Sequence, residues 1–149
     1  MHRIEPFADL DHFKNVNDNY GHAVGDQVLK RSAELIEQCT RQADLVARYG
    51  GEEFVILLPG SDGEATQAVA ERIVNAFREY DHETAEGEHF NVTISIGIAS
   101  QNTVTHFESP KELLLAADQA LYQAKSQGRN QTSIYRQSKA PQRANLHSV

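Results

Sequence analysis

The sequence has one cysteine, no long apolar run and no excess of positive charge, and each lack excludes a class of protein. Cys39 is the single cysteine among 149 residues, which rules out a disulfide framework and a zinc site built from cysteines. No apolar run approaches the ~20 residues of a membrane span, and residues 1–6 do not form an apolar signal region. We therefore expect a cytoplasmic protein with no membrane segment. The net charge of −7 also disfavours a nucleic-acid polymer as partner, because an acidic surface repels phosphate.

The chain divides into one compact domain and a tail. A length of 149 residues fits a single domain that can bury a sizeable core. The last fourteen residues are polar, contain three basic and no acidic side chains, and lack periodicity. The pattern predicts a folded domain over residues 1–135 and a disordered basic tail over residues 136–149.

Hydrophobic periodicity predicts the element order β-α-β-β-α-β followed by α-β. This is the ferredoxin-like order with a C-terminal extension, so we expect an α+β fold. We expect a largely antiparallel sheet with helices on one face. Predicted strands cover residues 4–11, 45–49, 54–58, 90–99 and 132–135, and predicted helices cover residues 26–39, 61–80 and 110–127.

Local signals set the expected boundaries of these elements. Residues 15–25 are rich in Asn, Asp and Gly and are predicted to be a loop, after which Asp26 would cap a helix. Capping boxes at 61–64 and 109–112 predict the starts of the next two helices, and Gly128 predicts the end of the last. The pair Gly50 and Gly51 predicts a tight hairpin, because glycine tolerates positive φ.

Acidic side chains form two clusters that suit metal chemistry. Asp9 and Asp11 end the first strand and share one face, and Glu52 and Glu53 follow the two glycines of the hairpin. If the hairpin pairs beside the first strand, these oxygens would hold one or two Mg²⁺ ions for phosphoryl transfer. Each cluster alone has a simpler explanation, as solvated or capping acids and as a tight turn.

A third cluster is basic and ends the last predicted helix. Lys125 and Arg129 suit binding of phosphates. Cations at the C-terminal end of a helix are also favoured by its dipole, which explains them without a ligand.

Taken together, the motifs resemble the GGDEF-domain family of diguanylate cyclases. The likeness covers about residues 7–135, and several separated motifs in the same order make it specific. The stretches that carry it are Asp9–Lys14, Asn17–Asp26, Arg48–Phe54, Val92–Ala99, Ala117–Tyr122 and Ala124–Asn130.

The resemblance implies an enzyme that condenses two GTP molecules into cyclic di-GMP and releases two pyrophosphates. Each subunit of a homodimer would hold one GTP, and each 3′-hydroxyl would attack the α-phosphate of the other GTP. Mg²⁺ or Mn²⁺, two per active site, would be the cofactor. By the same likeness, Asp9, the carbonyl of Leu10, Glu52 and Glu53 are metal ligands, and Glu52 and Glu53 are the catalytic carboxylates. Their division of labour stays open.

The resemblance also assigns the nucleotide contacts. Asn17 and Asp26 match the pair that recognises guanine, although Asp26 also suits simple helix capping. Gly50 and Gly51 would leave room for the nucleotide. Phosphates would be approached by the backbone of Phe13 and Lys14 and held by the side chains of Lys125 and Arg129.

A pattern upstream of the hairpin resembles the family's RxxD inhibitory site for cyclic di-GMP. Arg41 suits phosphate and guanine stacking, and Asp44 suits a guanine edge. The alternative is a surface ion pair between these two residues at (i, i+3) spacing.

One departure from the family concerns the start of the chain. Family members carry a helix and a segment resembling Asp-x-Leu-Thr-Gly-Leu-x-Asn-Arg before the Asp9 strand, whereas here eight residues precede Asp9. We expect a domain that lacks this N-terminal segment. Two alternatives to an active cyclase stay open. One is a non-catalytic module that binds cyclic di-GMP through Arg41 and Asp44, or GTP, and the other is a structural remnant, which only the missing segment suggests.

Overall fold

The computed structural model describes residues 3–60, 62–101 and 109–136. The predicted tail lies, apart from Arg136, outside the described residues. None of the helices in these ranges combines the length and apolar character needed to cross a membrane. The strands are β1 (Arg3–Leu10), β2 (Leu45–Arg48), β3 (Glu53–Leu57), β4 (His82–Glu83), β5 (His89–Phe90), β6 (Ile94–Gln101) and β7 (Thr132–Ile134). The helices are α1 (Phe13–Tyr20), α2 (His22–Gln38), α3 (Gly63–Glu79) and α4 (Pro110–Ser126).

Five strands form one sheet in the order β2-β3-β1-β6-β7. Strand β1 pairs antiparallel with β3 and with β6, and β7 lies parallel to β6. The order of the first four strands is ferredoxin-like, and the added α4-β7 unit extends the sheet, so the predicted α+β fold is confirmed. This topology brings the end of β1 beside the start of β3, with Asp9 opposite Glu53.

Helices cover both faces of the sheet, so the expectation that they lie on one face is wrong. Helices α1, α2 and α3 pack on the face that contains Ala8 and Ile96. Helix α4 packs on the opposite face against Phe7 and Ala99. The reason is that neighbouring residues of β1 and β6 are both buried, and neighbours point to opposite sides of a strand. On the α4 face of β6 the buried side chains are small, so the hydrophobic pattern of the sequence did not indicate that this face is also covered by a helix.

The segment predicted as a loop over residues 15–25 is mostly helical. Helix α1 buries Phe13 and Val16 in the core, and this packing overrides the low helix propensity of its Asn and Asp residues. The chain turns at Gly21, with φ of 94°, and enters α2 at His22. Asp26 therefore lies inside α2 rather than at its N-cap.

The long strand predicted over residues 90–99 is interrupted. Asn91 donates hydrogen bonds from Nδ2 to the carbonyls of Phe77 (2.8 Å) and Tyr80 (3.0 Å) at the end of α3. These bonds separate β5 from β6. The preceding residues pair instead as the β4-β5 hairpin, which the sequence pattern did not predict.

The predicted caps of the two later helices are close to those observed. The Ser109 hydroxyl accepts the N–H of Glu112 (3.2 Å), with Pro110 as the first residue of α4. For α3 the N-cap is Asp62, which accepts the N–H of Ala65 (2.8 Å), and Ser61 lies outside the described residues. Gly128 follows α4 with a φ of 119°, in line with its predicted role as a stop.

Candidate active site

Asp9 is a buried carboxylate at the end of the central strand. Its side chain lies on the α4 face, where the ammonium of Lys125 contacts Oδ2. The other oxygen, Oδ1, is buried and has no hydrogen-bond partner. Burial raises the pKa of Asp9, and the hydrogen bond and charge of Lys125 oppose that rise. Asp9 therefore has one oxygen held by a cation and one oxygen available to a further positive group.

Glu52 and Glu53 reach the same place from the hairpin between β2 and β3. The N–H of Leu10 donates to the carbonyl of Glu52 (3.2 Å), and Glu53 is the register partner of Asp9. Burial raises the pKa of both glutamates, and the nearby charge of Asp9 raises them further. The condition set for a shared metal site, that the hairpin pairs beside the Asp9 strand, is therefore met.

These acids fit a hard cation by their chemistry, since carboxylate oxygens are the ligands that such ions take. Three carboxyls within electrostatic reach of one ammonium leave an excess of negative charge, which a divalent cation with oxygen ligands would relieve. In residues 3–60, 62–101 and 109–136, however, no three Asp, Glu, His or Cys side chains are gathered closely enough to hold a metal ion. One oxygen of Asp9 is engaged by Lys125 instead. The magnesium site stays a prediction.

The two hairpin glycines act differently from the expectation. Neither Gly50 nor Gly51 has positive φ. The expectation that the hairpin needs glycine for a left-handed backbone is therefore wrong. A Cβ on Gly50 would lie 2.5 Å from Oε1 of Glu53, whereas a Cβ on Gly51 would meet open space. The hairpin is closed by the N–H of Tyr49, which donates to the carbonyl of Glu53 (2.8 Å), and by Arg48 Nε, which donates to both glycine carbonyls. A side chain at position 50 would therefore displace the carboxylate of Glu53.

Asn17 and Asp26 are connected through a glycine that the sequence reasoning did not single out. The Asn17 side chain lies against Gly25 so closely that a Cβ there would overlap its Oδ1. Gly25 is buried inside α2, and glycine in a helix lowers the stability of that helix. A glycine at such an unfavourable position is a sequence signal that another group, here Asn17, approaches the backbone closely. Asp26 is exposed and lines a cleft of about 410 Å³ together with Lys30 and Arg48.

Phe13 and Lys14 begin α1. The Phe13 side chain is buried, whereas Lys14 is exposed and pairs with Asp18 at 3.2 Å. His12 precedes them with a left-handed φ of 56° and makes no side-chain cap. The first N–H groups of a helix have no partner within it, so this end of α1 suits an anionic group.

Lys125 and Arg129 flank the end of α4 as predicted. Lys125 is half-buried against Asp9, and Arg129 is exposed in the turn that leads to β7. The N–H of Arg129 donates to the carbonyl of Ala124 (2.9 Å), which ties the turn to the last turn of the helix. Lys125 is thus adjacent to the carboxylates, and Arg129 lies a few residues beyond.

Asp11 differs from Asp9 in its partners. It is buried and accepts hydrogen bonds from Thr93 Oγ1 (2.7 Å), Ser95 Oγ (2.7 Å) and the N–H of Asn130 (2.9 Å). Its oxygens are engaged by donors of the protein, so Asp11 joins β1, β6 and the turn after α4. The sequence pattern grouped it with Asp9, and nothing in the local pattern distinguishes the two.

Arg41 and Asp44 form the ion pair that was the alternative to an inhibitory site. Arg41 Nη2 donates to Asp44 Oδ1 (2.8 Å) and to the carbonyl of Pro59 (3.0 Å), and its Nε donates to Asp44 Oδ2 (3.3 Å). The Asp44 side chain is fully covered, and the Arg41 side chain is 57% exposed. Burial alone would raise the pKa of Asp44, but hydrogen bonds from Arg41 lower it overall. The pair is therefore preformed, with the guanidinium facing solvent.

Comparison with known proteins gives consistent matches. Residues 6–131 match the protein family described as "Diguanylate cyclase, GGDEF domain". The chain is 48% identical over 130 residues to Diguanylate cyclase A of Treponema denticola, a match that covers 85% of this chain and 33% of that protein. The chain spans about a third of the length of the curated relatives it matches.

Two solved structures share the fold closely. One is the active GGEEF domain of a diguanylate cyclase from Vibrio cholerae, with a TM-score of 0.82, 35% identity, and coverage of 93% of this chain and 85% of that one. Another is the GGDEF domain of DgcB from Caulobacter crescentus in complex with c-di-GMP, with a TM-score of 0.84, 31% identity, and coverage of 90% and 78%.

Proposed function

Because this chain belongs to the GGDEF-domain family of diguanylate cyclases, we propose that it condenses two GTP molecules into cyclic di-GMP and two pyrophosphates. The observation that carries the proposal is the cluster of Asp9, Glu53 and Lys125, drawn from three elements far apart in sequence. Carboxylates gathered beside a cation, with pKa values raised by burial, are typical of functional sites, and carboxylate oxygens are the ligands of metal-assisted phosphoryl transfer. GTP is a cytoplasmic metabolite, so the proposed reaction implies a cytoplasmic location.

Asp9, the carbonyl of Leu10, Glu52 and Glu53 would hold Mg²⁺ or Mn²⁺, two ions per site. When bound, such ions stabilise charge on phosphate oxygens and favour the deprotonated form of an attacking hydroxyl. The buried Oδ1 of Asp9, which lacks a donor, supports this assignment. Glu52 or Glu53 would accept the proton of the 3′-hydroxyl, or activation of that hydroxyl by the metal alone would suffice, and the division of these roles stays open.

The nucleotide would be held from both ends. Asn17 and Asp26 would bind the guanine edge, and their connection through Gly25 supports a single base site. The triphosphate would meet the start of α1 at Phe13 and Lys14. Lys125 and Arg129 would contribute their charge to the phosphate oxygens, and Gly50 and Gly51 would border the nucleotide.

Two copies of the chain are needed for the reaction. Each site would hold one GTP, and the attacking hydroxyl and the attacked phosphate belong to different GTP molecules. The homodimer can therefore be transient, and its formation would limit the rate at low protein concentration.

The test is turnover measured across protein concentration. Purified protein with GTP and Mg²⁺ should yield cyclic di-GMP and pyrophosphate in a 1:2 ratio, separated by chromatography. The rate per subunit should rise with protein concentration until the dimer is saturated. Absence of product at high concentration, with binding of GTP or cyclic di-GMP retained, would support the non-catalytic binding module instead.

Product inhibition through Arg41 and Asp44 is the second part of the proposal. We expect Arg41→Ala to weaken cyclic di-GMP binding about tenfold, because the exposed guanidinium is the charged donor of this pair. Initial rates in the absence of product should match the wild type, and the concentration of cyclic di-GMP that halves the rate should rise.

Gln42→Ala is the matched control for this prediction. Gln42 lies between the two residues and is exposed, so its removal should leave inhibition unchanged. If Arg41→Ala is inhibited as strongly as the wild type, Arg41 and Asp44 form only a surface ion pair.

A further inference from the structure

The turn between α4 and β7 has an unusual backbone. Gly128, Arg129 and Asn130 follow one another with φ values of 119°, 64° and 54°. Glycine adopts positive φ without strain and asparagine tolerates it, but arginine does not favour it. A non-glycine residue persists in this region only when surrounding contacts hold it there. The conformation of Arg129 therefore depends on what fixes its neighbours.

Asn130 is the residue that the surrounding structure holds. Its N–H donates to Asp11 Oδ2 (2.9 Å) and to Ser95 Oγ (3.1 Å). Its side-chain Oδ1 accepts from Arg78 Nε (2.9 Å), and its carbonyl accepts from Arg78 Nη2 (2.8 Å). These contacts fix Asn130 from the sheet on one side and from α3 on the other.

All three nitrogens of the Arg78 guanidinium donate hydrogen bonds, two of them to Asn130. Besides its two bonds to Asn130, its Nη1 donates to Asn75 Oδ1 (2.8 Å), one turn earlier on α3. A planar fork with fixed donor directions can grip two oxygens of one residue at once, which an ammonium cannot do. Arg78, although exposed, is thus a brace between α3 and the turn.

The braced turn carries the cation proposed to bind phosphate. The N–H of Arg129 donates to Ala124, and the N–H of Gly128 lies 3.4 Å from the carbonyl of Lys125. Fixing Asn130 therefore fixes Arg129 relative to the end of α4, and Lys125 in turn contacts Asp9. The brace and the carboxylate site share one framework, since Asp11 lies two residues after Asp9 along the chain.

We infer that Arg78 is a positioning residue for phosphate binding by Arg129, acting through the backbone and side chain of Asn130. The inference rests on the proposed function, because it takes Arg129 as a ligand of the GTP phosphates. Arg78 itself contacts no phosphate in this scheme. Its loss would leave Arg129 present, with Asn130 held by Asp11 and Ser95 but no longer from α3.

Binding of a substrate that cannot react tests the inference. The probe is 3′-deoxyGTP with Mg²⁺, which lacks the attacking hydroxyl, and the reference ligand is 3′-deoxyguanosine, which lacks the phosphates. By calorimetry, Arg78→Ala should bind 3′-deoxyGTP about tenfold more weakly than the wild type. Its affinity for 3′-deoxyguanosine should not change. Arg78→Lys should fall between, because lysine can reach one oxygen of Asn130 but cannot grip both.

Two further variants separate positioning from general stability. Asn75→Ala removes a partner of Arg78 without touching Asn130, and its affinity for 3′-deoxyGTP should stay near the wild-type value. In an Arg129→Ala background, Arg78→Ala should cause no further loss, because its effect passes through Arg129. If Arg78→Ala does not fold, the affinities of Arg78→Lys for 3′-deoxyGTP and 3′-deoxyguanosine are compared with those of the wild type instead.

The outcomes are distinct. Unchanged binding of 3′-deoxyGTP by Arg78→Ala would overturn the inference, as would an equal loss for both ligands or full additivity with Arg129→Ala. A wild-type chain that binds no 3′-deoxyGTP would overturn the proposed function and this inference with it.

Discussion

Replacing Glu53 by glutamine should lower the rate of cyclic di-GMP formation by about 10³-fold. Glutamine keeps the size of the side chain and removes its negative charge and its capacity to accept a proton. Glu53 begins β3 directly opposite Asp9, so its charge belongs to the acid cluster proposed to hold the metal ions. The measurement is the initial rate at saturating GTP and Mg²⁺, with product separated by chromatography.

The same substitution should leave the folded state as stable as the wild type or more stable. Burial raises the pKa of Glu53, and the charges of Asp9 and Asp118 raise it further. An acid whose pKa is higher in the folded than in the unfolded state makes the fold less stable as the acid becomes ionised. The neutral amide removes that unfavourable charge, so the midpoint of thermal unfolding should not fall.

Glu79→Gln is the matched control, since Glu79 is exposed on α3 and undergoes the same chemical change. It should alter neither the rate nor the unfolding midpoint. A Glu53→Gln variant with wild-type turnover would remove Glu53 from the mechanism. A variant that loses activity together with a large drop in the unfolding midpoint would assign Glu53 a structural role.

The placement of the acid cluster was predictable because it depends on strand order. Once the periodicity predicts a ferredoxin-like arrangement, the first strand must lie beside the hairpin strand, and Asp9 comes near Glu53. The contact between Lys125 and Asp9 was not predictable from periodicity. That contact depends on the distance between α4 and the sheet, which cannot be predicted from a local sequence pattern.

The errors in predicting the fold have physical causes. Residues 15–25 have the low helix propensity of a loop, but burial of Phe13 and Val16 in the core makes most of the segment helical. The second helical face of the sheet was missed because the residues on that side of β6 are small. Polar contacts such as that between Arg78 and Asn130 connect residues 52 positions apart, and a hydrophobic pattern contains no information about them.

Gly97→Ala should destabilise the fold by about 3 kcal/mol, at the upper end for overpacking of a core. Gly97 lies in β6 opposite Phe7, on the face covered by α4. A Cβ at this position would overlap the backbone N of Leu121 and the carbonyl oxygen of Ala117, and it would lie 2.7 Å from the carbonyl carbon of Ala120. These are main-chain atoms of a helix, which cannot rotate away as a side chain can.

The only relief from that overlap is for α4 to move away from β6, and this links the stability of the fold to the site. Because Lys125 lies near the C-terminal end of α4, the movement would draw its ammonium away from Asp9. Urea denaturation should give a lower midpoint for Gly97→Ala with an unchanged slope, whereas Gly63→Ala, where a Cβ meets open space, should leave the midpoint within about 0.5 kcal/mol of wild type. A Gly97→Ala protein as stable as the wild type would mean that α4 does not rest directly on this strand. In that case the contact between Lys125 and Asp9 would need another explanation.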